Sequence, residues 1–187
     1  KVLGGGLSVR RTWTNGRWYF NPLWADLKFK IESSSGQVKY VDRAGTVFER
    51  TGNGDVYRFD SNQFVRRVST TGEWRWYDRL GNYAMYSDTG VLREYADKNG
   101  VKVTIQSNAE HQPEVIRDHF GDAALTFAYV GGKLDRVTDR SGRYVAYTWV
   151  GTELREVRDT MGYVWKYVYD SNGQLREITD PELQKTT

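Results

Sequence analysis

An all-β fold, a continuous antiparallel β-meander of short strands, follows from three features of the sequence. Turn signals arrive about every 9 to 12 residues between residues 33 and 180. The segments between them are about five to seven residues long, rich in Val, Tyr, Trp, Phe and Thr, and often alternating. No stretch long enough for a helix carries the ~3.6-residue period. Short β-forming runs at regular spacing predict strands joined by tight loops, here roughly fifteen of them.

The elements divide into a lead-in, residues 1–32, and a repeat region, residues 33–187. Gly4-Gly5-Gly6 lacks the Lys-Ser/Thr of a phosphate loop and reads as a flexible start. In the repeat region Asp-x-x-Gly recurs at Asp42–Gly45, Asp78–Gly81, Asp97–Gly100, Asp118–Gly121, Asp139–Gly142, Asp159–Gly162 and Asp170–Gly173. An Asp carboxylate can accept from a backbone N–H two residues on, and Gly supplies the positive φ that ends a tight turn. Each copy therefore reads as a hairpin loop. One Asp per loop is too few oxygens for calcium. Further turn clusters lie between these, among them Asp88-Thr89-Gly90, Gly131-Gly132 and Gly151-Thr152.

The strands show a period of two. "WRWY" puts Trp74 and Trp76 on one face, "LTFAYV" does so with Leu125, Phe127 and Tyr129, and "VWKYVY" with Trp165, Tyr167 and Tyr169. Pro22, Pro113 and Pro181 all fall outside the expected strands. A second phrase recurs: Leu92 to Asp97, Leu134 to Asp139 with Val137, Leu154 to Asp159 with Val157, and Leu175 to Asp180 with Ile178. Leu and the β-branched residue stand three apart, so in a regular strand they face opposite ways. Either both faces of the sheet are partly covered, or a bulge at the loop exit turns the Leu inward.

The pattern Tyr-x-Tyr-Asp-x-x-Gly-x-Leu-x-x-[Val or Ile]-x-Asp, carried by "YVYDSNGQLREITDP" at 167–181, resembles the YD repeat of RHS (rearrangement hotspot) proteins. "YADKNG" at 95–100 and "VTDRSGRYVAYTW" at 137–149 match more loosely, and the likeness covers about residues 37–181. The stretch "GLSVRRTWTNGRWYFNPLWADLKFKI" at 6–31 resembles the region preceding such repeats in bacterial toxins. The resemblance implies a strip of sheet forming a partial spiral shell around a hollow, without enzymatic activity or cofactor. It also implies a secreted bacterial toxin whose C-terminal domain is enclosed or displayed. Partners would be the remaining repeats and the toxin domain of the same polypeptide, with a secretion apparatus or chaperone besides. No self-cleaving aspartyl-protease-like motif occurs.

Composition narrows the alternatives. The 27 Lys and Arg against 24 Asp and Glu leave a net charge of +3, spread along the chain, so no basic stripe suggests nucleic acid. There is no cysteine, which excludes disulfides and thiolate metal sites. No apolar run approaches the ~20 residues of a membrane span. The chain starts at Lys1 without an initiator Met or a leader, so an excised fragment with targeting signals elsewhere is expected. Open sheet edges would favour self-association.

The most site-like stretch is "EHQPEVIRDHFGD", holding Glu110, His111, Glu114, Asp118 and His119. The histidines sit at opposite ends of one strand, roughly 20 Å apart and too far to share an ion. Arg155-Glu156 and Arg176-Glu177 are expected to form ion pairs across strands. The rival to the scaffold reading is a carbohydrate- or cell-surface-binding module. It would use Trp13, Trp18, Trp24, Trp74, Trp76, Trp149 and Trp165 as stacking platforms.

Overall fold

The computed structural model describes residues 9–14, 16–20, 25–52, 54–182 and 184–186. Gly4-Gly5-Gly6, Pro22 and Trp24 lie outside the described residues. These hold nineteen strands and no helix. The excess over the roughly fifteen expected includes pieces too short to show a period, such as β6 and β19 with three and two residues. Contacts divide the described chain into two compact units. The first comprises residues 25–113 and 117–122, the second residues 9–20, 114–116 and 123–186. Strand β12 (Pro113–Arg117) runs across that division. Pro113 thus lies inside a strand, at its first position, where the missing N–H does least harm.

The first unit is a meander of β3 (Leu27–Ile31), β4 (Val38–Arg43), β5 (Thr46–Arg50), β6 (Val56–Arg58), β7 (Phe64–Arg67), β8 (Trp74–Tyr77), β9 (Tyr83–Tyr86), β10 (Leu92–Ala96) and β11 (Lys102–Ser107). Each strand pairs antiparallel with the next. Alternate residues are buried, among them Val41, Phe48, Tyr57, Val65, Trp74, Trp76, Ala84 and Tyr86.

The meander curls on itself. β3 and β8 are five strand spacings apart, about 24 Å in a flat sheet at ~4.8 Å each. Yet the Phe29 and Trp74 ring centroids lie 4.7 Å apart. The backbone N–H of Leu27 donates to Gly90 O at 2.8 Å, and Leu92 N–H donates to the Asp26 carboxylate at 2.9 Å. Arg43 from β4 donates through Nε to the buried Tyr86 hydroxyl at 2.7 Å, with its guanidinium 4.0 Å over the Trp76 ring. Large rings and one guanidinium therefore occupy the inside of this curl. The resemblance led to the expectation of a hollow, but between these strands the side chains pack against each other.

The second unit is a meander of β13 (Ala123–Val130), β14 (Lys133–Asp139), β15 (Tyr144–Val150), β16 (Glu153–Arg158), β17 (Val164–Tyr169), β18 (Leu175–Thr179) and β19 (Lys185–Thr186), again paired in order. It also holds the hairpin of β1 (Arg11–Thr14) and β2 (Arg17–Phe20). Among the described residues the last strand of neither unit pairs with its first, so neither sheet closes into a barrel.

Candidate functional site: a carboxylate-tied loop and a bulged strand

Six Asp-x-x-Gly copies, starting at Asp78, Asp97, Asp118, Asp139, Asp159 and Asp170, share one hydrogen-bond scheme. The Asp N–H donates to the carbonyl four residues on, and the Gly N–H donates back to the Asp carbonyl. The Asp Oδ1 then accepts from the N–H groups two and four residues on, at 2.8 to 3.1 Å. One side chain thus satisfies two donors that no ladder reaches. Gly81, Gly100, Gly121, Gly142, Gly162 and Gly173 all take positive φ.

Asp42–Gly45 is built differently. Arg43 and Thr46 are paired, so Ala44 and Gly45 form a two-residue hairpin with φ of 52° and 86°, and the Gly45 N–H donates to Asp42 Oδ1 at 2.8 Å. Gly131-Gly132 makes a similar two-residue reversal between β13 and β14.

Two loops of the six-copy type escape the Asp-x-x-Gly pattern. Asp180 uses the same scheme without a glycine, accepting from Glu182 and Gln184 N–H. Asn108 accepts from Glu110 and Gln112 N–H at 3.1 and 2.8 Å, and His111 takes the glycine position at φ 62°. A left-handed conformation costs a non-glycine residue about 1–2 kcal/mol, less for His than for most. His111→Gly is therefore expected to stabilise the first unit by about 0.5–1 kcal/mol, read as a higher urea midpoint at unchanged slope.

The Asp139 loop adds a Ser141 hydroxyl at 2.7 Å and the Arg143 side chain, whose Nη2 stands 2.8 Å from Oδ2. The Ser141 hydroxyl foremost, then Arg143 and the backbone donors, hold the Asp139 carboxyl down to about 2 from the ordinary 3.8. A lowered folded-state value contributes stability that is complete above 3.8 and is lost as pH falls from there to about 2. Carboxyl-carbon NMR should place the Asp139 midpoint near about 2, and Ser141→Ala should move it up toward 3.8. An unshifted midpoint in that variant removes the hydroxyl from the account.

The Leu-x-x-Val strands resolve through bulges. Tyr129 faces Leu134 while Ala128 faces Arg136, leaving Asp135 as the extra residue. Arg155 is extra in β16, Arg176 in β18 and Arg93 in β10. Each extra residue is charged, and each bulge re-aims the residue before it. Leu134 and Val137 are both buried, as are Leu154 and Val157. Leu92, Tyr167 and Tyr169 are buried too, whereas Leu175 and Ile178 near the end of the described chain are half-buried. In the β10 copy Glu94 is buried, held by Lys102 at 2.9 Å and the Tyr83 hydroxyl at 3.0 Å.

Of the first expected pair, Glu156 forms its ion pair across strands and Arg155 within its own strand. Glu156 faces Lys166 across the β16–β17 ladder at 4.0 Å, while Arg155 pairs with Glu153 on its own strand and lies over the Tyr169 ring. Such exposed pairs contribute about 0–1 kcal/mol each.

None of the six described tryptophans is exposed: Trp74 and Trp76 are buried, and Trp13, Trp18, Trp149 and Trp165 half-buried. The rings read from sequence as stacking platforms are in contact with other side chains. In the second unit one face of the β1–β2 hairpin lies against β15 and β17. Trp13 meets Tyr169 at 5.5 Å, Trp18 meets Tyr167 at 5.0 Å and Phe20 meets Tyr147 at 5.3 Å, all edge-on. Arg11 Nε donates to the Tyr167 hydroxyl at 2.5 Å and Trp18 Nε1 to the Tyr169 hydroxyl at 2.7 Å. Burial pushes the Tyr147 phenol up to about 12, against the opposing pull of Arg11.

His111 and His119 stand in separate loops, His119 with its ring 3.8 Å from that of Phe120. Among the described residues no group of three or more His, Asp or Glu side chains converges as a metal site would. Asp26 is raised by burial, partly offset by the Leu92 N–H and by His111. Its carboxylate is engaged by backbone, accepting from the Leu92 N–H at 2.9 Å.

Residues 151–183 match the family model described as RHS Repeat. No curated protein matches the chain. The matched stretch spans β16, β17 and β18, with two bulged Leu-x-x-[Val or Ile] strands and the loops tied by Asp159, Asp170 and Asp180. Residues 151–183 of the chain thus carry an RHS repeat, the match lying on those three strands.

Proposed function

We propose that the chain is a non-catalytic structural segment of the shell of a secreted RHS/YD-repeat toxin, helping to enclose or display a toxic C-terminal domain of the same polypeptide. The observation that carries this reading is the repeated unit itself. Its loop Asp carboxylates are committed to backbone N–H groups and its inward aromatics to ring packing, which favours scaffold work as the common denominator of the copies. The neighbouring partners in this reading are further repeats, which continue the ladders at the ends of the meander, with a secretion apparatus or chaperone beyond them. Where those neighbours are missing, the open edges favour self-association. Because the curl of the first unit is filled by its own rings, the enclosed domain would occupy space framed by additional repeats.

The test uses the full parent polypeptide under limited proteolysis. The C-terminal domain should resist digestion until denaturant opens the repeats, and digest at once when produced alone. Equal digestion rates in the two settings would reject enclosure. The carbohydrate-binding alternative predicts a saturable tryptophan fluorescence change on glycan titration. With the described tryptophans packed against other side chains, a flat response is expected.

A further inference from the structure

We infer that the β1–β2 hairpin is a detachable ligand of the second unit, and that the surface beneath it is a receptor for an Arg- and Trp-bearing β-hairpin that a second copy of this chain can also supply. The observation is a contrast in how elements are held. Every strand from β13 to β19 is joined to its neighbours by backbone ladders, whereas β1 and β2 pair only with each other among the described ladders.

The described polar contacts that fix the hairpin to the sheet come from side chains. The register sets Arg11 opposite Phe20 and Trp13 opposite Trp18, so these four share one face. That face meets Tyr147, Trp149, Tyr167 and Tyr169, with the Arg11 guanidinium 5.5 Å from the Trp165 centroid. The receptor supplies ring edges and two phenol oxygens as acceptors, and the hairpin supplies two matching donors. Tyr169 keeps a second bond when the hairpin leaves, since its own hydroxyl donates to Leu154 O at 2.9 Å. Departure therefore breaks no ladder and leaves the sheet's backbone pairing whole. This is side-chain recognition of a preformed two-stranded ribbon, distinct from addition of a strand to an edge.

The experiment uses the 187-residue chain carrying Arg11→Ala and Trp18→Ala, with a labelled head-to-tail cyclised peptide of residues 9–20 as probe. Cyclisation offsets the weak intrinsic stability of an isolated hairpin. In the unsubstituted chain the tethered hairpin competes at an effective concentration on the order of millimolar, so the probe should bind the double variant at least about tenfold more tightly. Hydrogen exchange through β14–β17 should be unchanged in the variant. Loss of protection across those strands, or failure of the variant to fold, would show the hairpin to be integral core and overturn the inference. So would absence of saturable binding, or equal binding to both chains.

Discussion

Gly90→Ala destabilises the first unit by about 3–6 kcal/mol, far more than alanine at the comparable loop glycines. Gly90 has φ 89°, so any side chain there is strained by about 1–2 kcal/mol. Gly100 shares that conformation at φ 83°, but a methyl group added there would meet nothing within 4 Å, so Gly100→Ala should lose only that conformational term. At Gly90 a Cβ would stand 2.7 Å from Leu27 O and 2.9 Å from the Phe29 ring. The first obstacle is backbone and cannot rotate aside. Relief requires the loop to withdraw, which stretches the Leu27 N–H to Gly90 O bond of 2.8 Å. Overpacking adds about 1–3 kcal/mol and the bond about 1. Urea melts of both variants should separate by about 2–4 kcal/mol, with amide protection in β3 and β4 falling only for Gly90→Ala. Equal midpoints would mean that the closure between β3 and the β9–β10 loop contributes nothing.

Trp74→Ala costs a similar amount, about 3–5 kcal/mol, the usual range for deleting a buried large aromatic. Trp74 is 2% exposed, meets Phe29 at 4.7 Å and Tyr57 at 5.4 Å, and donates through Nε1 to Asp88 O at 3.2 Å. Those partners lie on β3, on β6 and in the loop ending at Gly90, so the ring joins parts of the meander that share no ladder. Repeat proteins lose stability roughly additively when a contact between neighbours is removed. A contact between distant strands should instead unfold β3, β4 and β8 together. Since Gly90→Ala and Trp74→Ala both act on Phe29, the double variant should lose less than the sum, with a coupling of about 0.5–3 kcal/mol. Strict additivity would separate the two contacts. Thermal melts of the four chains in the cycle decide it.

Local chemistry was legible and distant pairing was not. Asp-x-x-Gly announces its loop because donor, acceptor and hinge all lie within five residues. The same loop at Asn108 hides because Asn substitutes for the carboxylate and His111 for the glycine. Asp42–Gly45 has the pattern but not the scheme, since pairing of Arg43 with Thr46 shortens the reversal to two residues. The spacing of Leu154 and Val157 posed a choice between two covered faces and a bulge, and the ladder shift past Arg155 settles it. Periodicity placed Trp74 and Trp76 on one face but could not say what they touch. The partners of Arg43 and Trp74 lie 43 and 14 residues along the chain, at Tyr86 and Asp88. The filling of the curl depends on such pairs, and so the expectation of a hollow could not be checked from sequence. The tryptophans looked like platforms because composition carries no record of what covers a ring.

The carboxylate-tied reversals bear on how such a chain can change length. In each, the N–H groups two and four residues on are tied by the loop's own Asp, so those bonds borrow nothing from elsewhere in the molecule. A tandem duplication of about twenty residues copies a finished hinge together with the strands it joins. Unequal crossing-over between copies can then add or delete whole rungs while every surviving hinge keeps its geometry, leaving selection to act on the number of rungs.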